Sequence, residues 1–178
     1  ANLQGIWNEE PAAAWSCNYT TNINVQMNYW CALGANLAEC CQPLHQMIYE
    51  LKESGTQTAR EHYSASGFCA HHNVDLWRIS TPMGAWGCNT TKYAYFPLAG
   101  AWLTRHLFEY YSYTLDKKFL GGSAYDAIKA SAQFCDDMLV EDESGKLIFS
   151  PATSSENMFV YNGEKCSLSK SSAMFQSI

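Results

Sequence analysis

The sequence predicts an all-α fold with long loops and one short β-hairpin, and two observations support this prediction. The apolar residues of segment 42–62 are spaced three, one and three positions apart, the stripe of an amphipathic helix. They are Leu44, Met47, Ile48 and Leu51. Segment 94–113 is apolar on most sides, which is typical of a buried helix. The alternation of buried and half-exposed helices indicates helices packed in pairs.

The chain is expected to begin with a loop over residues 1–20, followed by a helix over about 24–36. Thr21 or Asn22 would cap the start of this helix, since both side chains can accept hydrogen bonds from the N–H groups of its first turn.

A second helix is predicted over about 42–62, with Ser54-Gly55 as a point where it could break. Residues 64–92 follow as a long loop rich in glycine and proline. Long irregular segments inside compact domains are usually functional.

Two further helices are predicted over about 94–113 and 123–140. In the second of these the inward positions are expected to be Ala124, Ile128, Ala132, Phe134, Cys135 and Leu139. A turn at 142–145 leads into a strand at 146–149, then a loop covers 150–170 and a last helix begins near Ser171. Residues 1–178 are interpreted as a single domain.

Composition and charge limit the classes of function. The net charge is −6 and no basic run exists, which argues against nucleic-acid binding and is compatible with a neutral sugar ligand. No apolar stretch is long enough to predict a membrane span. The eight cysteines form no Cys-x-x-Cys pair, so free thiols in a reducing compartment are favoured over zinc or disulfides. Sequons at Asn18 and Asn89 are a contrary sign, and the compartment stays open.

The stretch Thr21–Trp30 holds three asparagines, a glutamine and two aromatic residues in ten positions. Asn22 and Asn24 are two positions apart, so their side chains share a side only in an extended segment. If both amides act on one ligand, they lie on the loop that enters the helix. The alternative is a capped, buried helix with polar decoration.

Five sequence blocks occur in order along nearly the whole chain. They are ANLQGIWN (1–8), NINVQMNYW (22–30), AHHNVDLW (70–77), LAGAWL (98–103) and SPATSSEN (150–157). Together they resemble the motifs of the α-L-fucosidases of glycoside hydrolase family 95. The resemblance implies a partial (α/α)6 barrel, with helices 24–36 and 94–113 in the inner ring and the other two in the outer ring. Such a piece would expose apolar surface, so self-association is expected.

The resemblance also implies an inverting mechanism. Glu156 would be the general acid that protonates the leaving oxygen, a role that needs a carboxyl group still protonated near neutral pH. Asn22 and Asn24 would hold the attacking water. An amide is too weak a base to accept its proton. The carboxylate base in the family lies beyond Ile178, so turnover by the isolated chain is not expected. From its position alone Glu156 would be interpreted as a solvated loop residue.

Thr20 stands where well-known fucosidases carry histidine against the sugar's C6 methyl group, while other members carry threonine. A smaller hydroxyl-bearing side chain leaves room for a hydroxymethyl group and can hydrogen-bond to it. The substrate is therefore expected to be a glycan ending in α-L-fucose, with α-L-galactose as the alternative; neutral drift would explain Thr20 equally well. A non-catalytic sugar-binding remnant is the rival class.

The resemblance places the block around His71-His72 at the sugar pocket. His72, Asn73 and Asp75 are candidate partners for sugar hydroxyls, and Trp77 and Trp86 are candidate stacking faces, although core packing explains each tryptophan as well. Adjacent histidines do not point to one ion on regular structure, so neither a metal nor another cofactor is predicted.

Overall fold

The computed structural model describes residues 8–84 and 90–171, and its elements follow one another in this order. They are β1 (Tyr19–Thr20), α1 (Asn24–Gly34), α2 (Gln42–Tyr63), β2 (Asn73–Val74), α3 (Thr91–Ala94), α4 (Ala99–Thr114), α5 (Lys117–Phe119), α6 (Tyr125–Asp137), β3 (Leu139–Glu141), β4 (Leu147–Phe149), β5 (Phe159–Tyr161) and β6 (Glu164–Cys166). Short 3-10 turns occur at Ala14–Cys17 and Ala38–Cys41. The predicted helical class is confirmed, while the barrel arrangement stays a prediction.

Helix α2 is the centre of the core, and the predicted stripe is confirmed. Leu44, Met47, Ile48 and Leu51 are each at most 5% exposed. The helix does not break at Ser54-Gly55. Gly55 packs directly against the backbone of Cys69. A Cβ atom added at Gly55 would come within 2.4 Å of the Cys69 carbonyl oxygen. The glycine therefore serves close packing of a loop on an unbroken helix.

Helix α4 differs from the prediction in its start and its burial. It begins at Ala99, five residues later than expected, because Pro97 disfavours helical geometry in the residue before it. One face is buried, but Phe108 and Tyr113 are 57% and 61% exposed, so the prediction of burial on most sides was wrong. The buried face packs on α1, α2 and α6, and the described chain offers nothing to cover the other face.

Helix α6 and the hairpin after it match the prediction in outline. The helix is shorter than expected, since Leu139 already lies in β3, which pairs antiparallel with β4. Ala124 and Phe134 are buried as predicted. Ala132, however, is exposed, so that inward assignment was wrong. Ser66 and the Asp137 carboxylate close this end, with the Ser66 N–H and hydroxyl each donating at 2.6 Å.

Three short antiparallel ribbons complete the fold, and two of them lie in segments predicted to be loops. Strands β1 and β2 pair with Thr20 opposite Asn73, which places a strand inside the expected loop 1–20. Strands β5 and β6 form a second hairpin inside the expected loop 150–170. Its turn is Asn162-Gly163, and both residues have positive φ, as a two-residue hairpin turn requires.

Other predictions meet the structure only partly. Seven cysteines lie among the described residues, and all seven are free thiols, although Cys31 and Cys40 are exposed rather than buried. The first motif and the last helix fall largely or wholly outside the described residues. Over the two described ranges, no helix is both long enough and apolar enough to cross a membrane.

The exposed face of α4 generates a prediction about solution behaviour. At micromolar concentration the 178-residue chain should have a mass larger than the 20.0 kDa of the monomer, because exposed apolar surface favours association. Size-exclusion chromatography with light-scattering detection measures this mass. Phe108→Ser should shift the population toward monomer. Glu53→Ser, on the exposed side of α2, is the matched control and should change nothing. A monodisperse monomer for the unaltered chain would contradict the prediction.

Candidate functional site

A cavity of about 560 Å³ lies where the N-terminal segment, the loop before β2, helix α4 and the loop after β4 meet. Its lining residues are Trp15, Thr20, Asn22, Ile23, Asn24, His72, Trp102, Ser154, Ser155, Glu156 and Asn157. The volume lies within the usual range of ligand sites, roughly 300–1,000 Å³. The cavity thus brings together five of the residues singled out from sequence, namely Thr20, Asn22, Asn24, His72 and Glu156.

The wall that carries the asparagines is built by the turn that leads from β1 into helix α1. Thr21 is fully buried and points away from the cavity. Its hydroxyl donates to the carbonyl oxygen of His71 at 2.6 Å, and its N–H donates to the carbonyl oxygen of His72 at 2.8 Å. Thr20, Asn22, Ile23 and Asn24 all line the cavity. Residues 21–23 form a turn and Asn24 is the first residue of α1, so the asparagines flank the start of the helix rather than sharing one side of an extended segment.

This turn stands where the sequence predicted a helix cap. The N-cap residue of α1 is Ile23, and its side chain makes no capping hydrogen bond. The expectation that Thr21 or Asn22 caps the helix was therefore wrong. Both side chains instead bond to distant segments, and Gln26 of the first helical turn donates to the Thr21 carbonyl oxygen at 2.7 Å.

Glu156 reaches this wall from a point 134 residues further along the chain. The Asn22 amide donates from Nδ2 to Oε1 of Glu156 at 3.0 Å. Glu156 has a φ of +62°, a left-handed conformation that is uncommon for residues other than glycine. Its N–H donates to the Lys92 carbonyl oxygen at 3.2 Å, and Asn157 closes the turn through its N–H to the Ser154 carbonyl oxygen at 2.9 Å. Backbone and side chain together therefore fix where the carboxyl group lies.

Behind the cavity, His71 anchors the loop that carries His72. The carbonyl oxygen of Ser80 can only accept, so the His71 Nδ1 at 2.7 Å carries the proton and donates to it. Its Nε2 is then free to accept from the Tyr63 hydroxyl. Burial lowers the pKa of His71 to about 4, and the Ser80 hydrogen bond opposes that shift only in part. The imidazole is therefore neutral near pH 7.

His72 lies on the cavity wall in a different electrostatic setting. Burial lowers its pKa, and the nearby Glu156 carboxylate partly offsets the effect by favouring the charged ring. Asn73 stands behind this wall rather than in it. Its Oδ1 accepts from the Thr20 hydroxyl at 3.3 Å, and its Nδ2 lies 2.9 Å from the His72 Nε2. Asn73 can thus orient two lining side chains without touching the cavity itself.

The structure does not bring Asp75 or Trp77 to the cavity. The Asp75 Oδ1 accepts from the N–H groups of Trp77 and Ile79, both at 2.9 Å, so this carboxylate stabilises a local turn. The Trp77 side chain is 89% exposed and does not line the cavity. Trp86 lies outside the described residues.

Sequence reasoning missed Trp15 and Trp102, which both line the cavity. Trp102 stands inside one of the five recognised blocks, so a signal for it existed. Trp15 stands between the blocks and had no such signal.

The lining groups are a carboxyl, amides, hydroxyls, a neutral imidazole and two indoles. This set suits a neutral ligand with many hydroxyl groups, because each polar group can donate or accept without needing an opposite charge. Within residues 8–84 and 90–171, no three histidine, cysteine, aspartate or glutamate side chains come together as a metal-binding group.

Comparison with known proteins agrees with this chemistry. The family described as "Glycosyl hydrolase family 95 catalytic domain" matches residues 1–178. The chain is 39% identical over 175 residues to "Alpha-L-fucosidase 2" of Arabidopsis thaliana, an alignment that covers 98% of this chain and 20% of that protein. It is 32% identical over 161 residues to "Probable alpha-fucosidase A" of Aspergillus niger, covering 88% of this chain and 20% of the relative. The chain thus spans about a fifth of the length of these relatives.

The neutral state of His71 generates a prediction about pH. Unfolded histidine binds a proton near pH 6.5, whereas buried His71 resists protonation down to about pH 4. Its contribution to the free energy of unfolding is therefore present above pH 6.5 and is lost as the pH falls toward 4. Burial also lowers the pKa values of His45 and His106 to about 4, and it lowers that of His72. The full slope therefore sums four histidines, each contributing at most about 1.4 kcal/mol per pH unit.

Melting temperatures measured from pH 4 to 7 should therefore rise with pH. His71→Gln should make this rise less steep, because unfolding would then take up about one proton fewer. Gln133→Ala, at an exposed position of α6 without a titrating group, is the control and should leave the slope unchanged. Equal slopes for the wild type and His71→Gln would show that His71 is not held neutral.

Proposed function

Because the chain belongs to glycoside hydrolase family 95, we propose that it is part of the catalytic domain of an exo-acting glycosidase that removes terminal α-L-fucose from glycans with inversion. The observation that carries the proposal is the hydrogen bond between Asn22 and Glu156 in a cavity lined by neutral polar groups. The fucosidases to which the chain is similar support the choice of sugar.

The proposal extends to the fold. Residues 1–178 would form one unit of an (α/α)6 barrel, with α1 and α4 in the inner ring and α2 and α6 in the outer ring. Two observations support this assignment: α4 packs on α1, α2 and α6, and it keeps an exposed apolar side on which further helices could pack.

In the proposed mechanism Glu156 protonates the leaving glycosidic oxygen. The Asn22 amide occupies Oε1 of Glu156, so a proton on Oε2 is the one that can face the ligand. The carboxyl group is exposed at the cavity, so a glycosidic oxygen can approach it. The left-handed backbone at Glu156 holds the carboxyl group in place before the substrate arrives, which reduces the cost of orienting it during the reaction.

Water attack needs groups on the opposite face of the sugar. Asn24 and the Oδ1 atom of Asn22 are the amide groups proposed to orient that water, since Nδ2 of Asn22 already binds the acid. An inverting enzyme separates its two carboxyl groups by roughly 6.5–9.5 Å to make room for the water. Among the described lining residues Glu156 is the one acidic side chain, so the base is proposed to come from elsewhere in the complete enzyme.

Thr20 supports α-L-galactoside as the second candidate substrate. Its hydroxyl is at the cavity wall and donates to Asn73 Oδ1 at a long 3.3 Å. A bond of that length is weak, so the hydroxyl can be redirected toward a 6-hydroxyl group on the sugar. L-Galactose differs from L-fucose by that hydroxyl. A non-catalytic sugar-binding role remains the rival class, and it predicts binding without turnover.

The role of Glu156 is tested in the longer protein that contains this chain. Glu156→Gln should lower kcat/KM on an unactivated α-L-fucoside about 10²–10⁴-fold, because general acid catalysis typically contributes that factor. The loss should shrink markedly for α-L-fucosyl fluoride, whose leaving group needs little protonation. Asn24→Ala should slow both substrates, because water attack is needed in either case.

Residues 1–178 alone should show no turnover of either substrate. Asp75→Asn, whose carboxylate serves a turn away from the cavity, is the matched acidic control and should retain activity in the longer protein. Near-normal hydrolysis of the unactivated fucoside by Glu156→Gln would remove Glu156 as the acid. Tight sugar binding by an inactive full-length protein would favour the non-catalytic class.

Sugar choice is tested by Thr20→His in the same full-length protein. The ratio of kcat/KM for the p-nitrophenyl α-L-fucoside to that for the α-L-galactoside should rise at least about tenfold, since loss of a hydrogen bond and of space both act against the 6-hydroxyl. Thr153→Ser, in the same region but outside the lining, is the control. An unchanged ratio would mean that Thr20 does not contact C6.

A further inference from the structure

The cavity has a closed end and an open end, defined by how far its lining residues are exposed. Thr20, Asn22 and His72 form the closed end, and each is at most 8% exposed. Trp15 and Ile23, at 54% and 39% exposed, form the open end together with the exposed Ser154, Glu156 and Asn157. Both sets line the same 560 Å³ space, so a ligand that enters has one end among buried polar groups and the other beside exposed apolar ones.

Trp15 is held at the open end by an unusual backbone. Trp15, Ser16 and Cys17 all have positive φ, at 50°, 55° and 52°. Two hydrogen bonds close the turn, from the Ser16 N–H to the Ala13 carbonyl oxygen and from the Asn18 N–H to the Trp15 carbonyl oxygen, both at 3.1 Å. Three such residues in succession are strained, and strain of this kind clusters at ligand sites.

We propose that Trp15, with Ile23 beside it, binds the leaving-group sugar, the residue to which the terminal L-fucose is linked. The proposal rests on the proposed function. An exo-acting enzyme takes the terminal sugar into the closed end, and the scissile bond then lies at Glu156. The next residue of the glycan must extend outward, to the end where Trp15 and Ile23 lie.

The chemistry of this end identifies the class of sugar. An indole packs on the C–H face of a pyranose ring, while the ring's hydroxyl groups stay in water. The lining residues that the structure describes include no lysine or arginine, and Glu156 is their one acidic side chain. A uronic or sialic acid would meet no counter-charge here, so the leaving group is a neutral pyranose.

The test compares two substrates in the full-length protein. One is a disaccharide with α-L-fucose on a neutral pyranose, and the other is α-L-fucosyl fluoride, whose leaving group has no ring. Trp15→Ala should lower kcat/KM on the disaccharide about 3- to 10-fold, mostly through KM, because an aromatic contact of this type is worth about that factor. Hydrolysis of the fluoride should change less than about twofold, and Trp15→Phe should restore most of the disaccharide activity.

Trp77→Ala is the matched control, since that indole is 89% exposed and does not line the cavity. If Trp15→Ala does not fold, Ile23→Ala carries the same comparison with a smaller loss. Equal losses on both substrates would place Trp15 at the terminal sugar, and no loss on either would remove it from the site. A wild-type protein inactive on both would overturn the proposed function, and this site with it.

Discussion

The cavity depends on the way Thr21 is held. Its hydroxyl and its N–H bind the carbonyl oxygens of His71 and His72, and its own carbonyl oxygen accepts from Gln26. These bonds hold a buried threonine inward and fix the turn at 21–23, from which Thr20, Asn22 and Asn24 line the cavity. They also explain why neutral His71 matters. A charged imidazole would be buried without a counter-charge, and the loop that it anchors supplies both carbonyl oxygens and the His72 side chain.

Glu156 enters the site through a second, independent set of constraints. Its loop follows the β3–β4 hairpin, which is tied to α6, and its backbone bonds to the Lys92 carbonyl oxygen near α3. The side chain then meets Asn22 from the far side of the cavity. Two segments separated by more than a hundred residues thus share one hydrogen bond. A shift of either segment by about 1 Å would break it, because hydrogen bonds weaken steeply beyond their normal length. The helical core beneath holds the two segments at the distance that this hydrogen bond needs.

Sequence patterns predicted the helices well where one apolar face is buried. They did less well where packing against other segments sets the bounds or the burial of an element. The bounds of α2 were predicted to within one residue because its apolar spacing marks the single face that packs into the core. The start of α4 was misplaced although Pro97 was visible, and the hairpin at Asn162-Gly163 was missed although Asn-Gly is a strong turn signal. The cavity could not be derived from spacing, since Asn22 and Glu156 meet only through the tertiary fold. Resemblance supplied those residues but also named Asp75 and Trp77, whose local turn directs them elsewhere. Trp15 had no local signal, because its place depends on backbone strain.

The composition of the cavity bears on how the proposed reaction is divided. A proton donor needs a partner that accepts a proton from water, and amides cannot do so at neutral pH. In the proposed reaction Glu156 takes the first role, and the described lining contains no second carboxylate. Helix α4 likewise has an exposed apolar side that no described segment covers. Under the proposed function, the described site still needs a base and the exposed side of α4 still needs a packing partner. One further packed segment could cover α4 and bring a carboxylate to the face of the sugar opposite Glu156. Under the proposed mechanism, folding and the second half of the chemistry would then depend on the same interface.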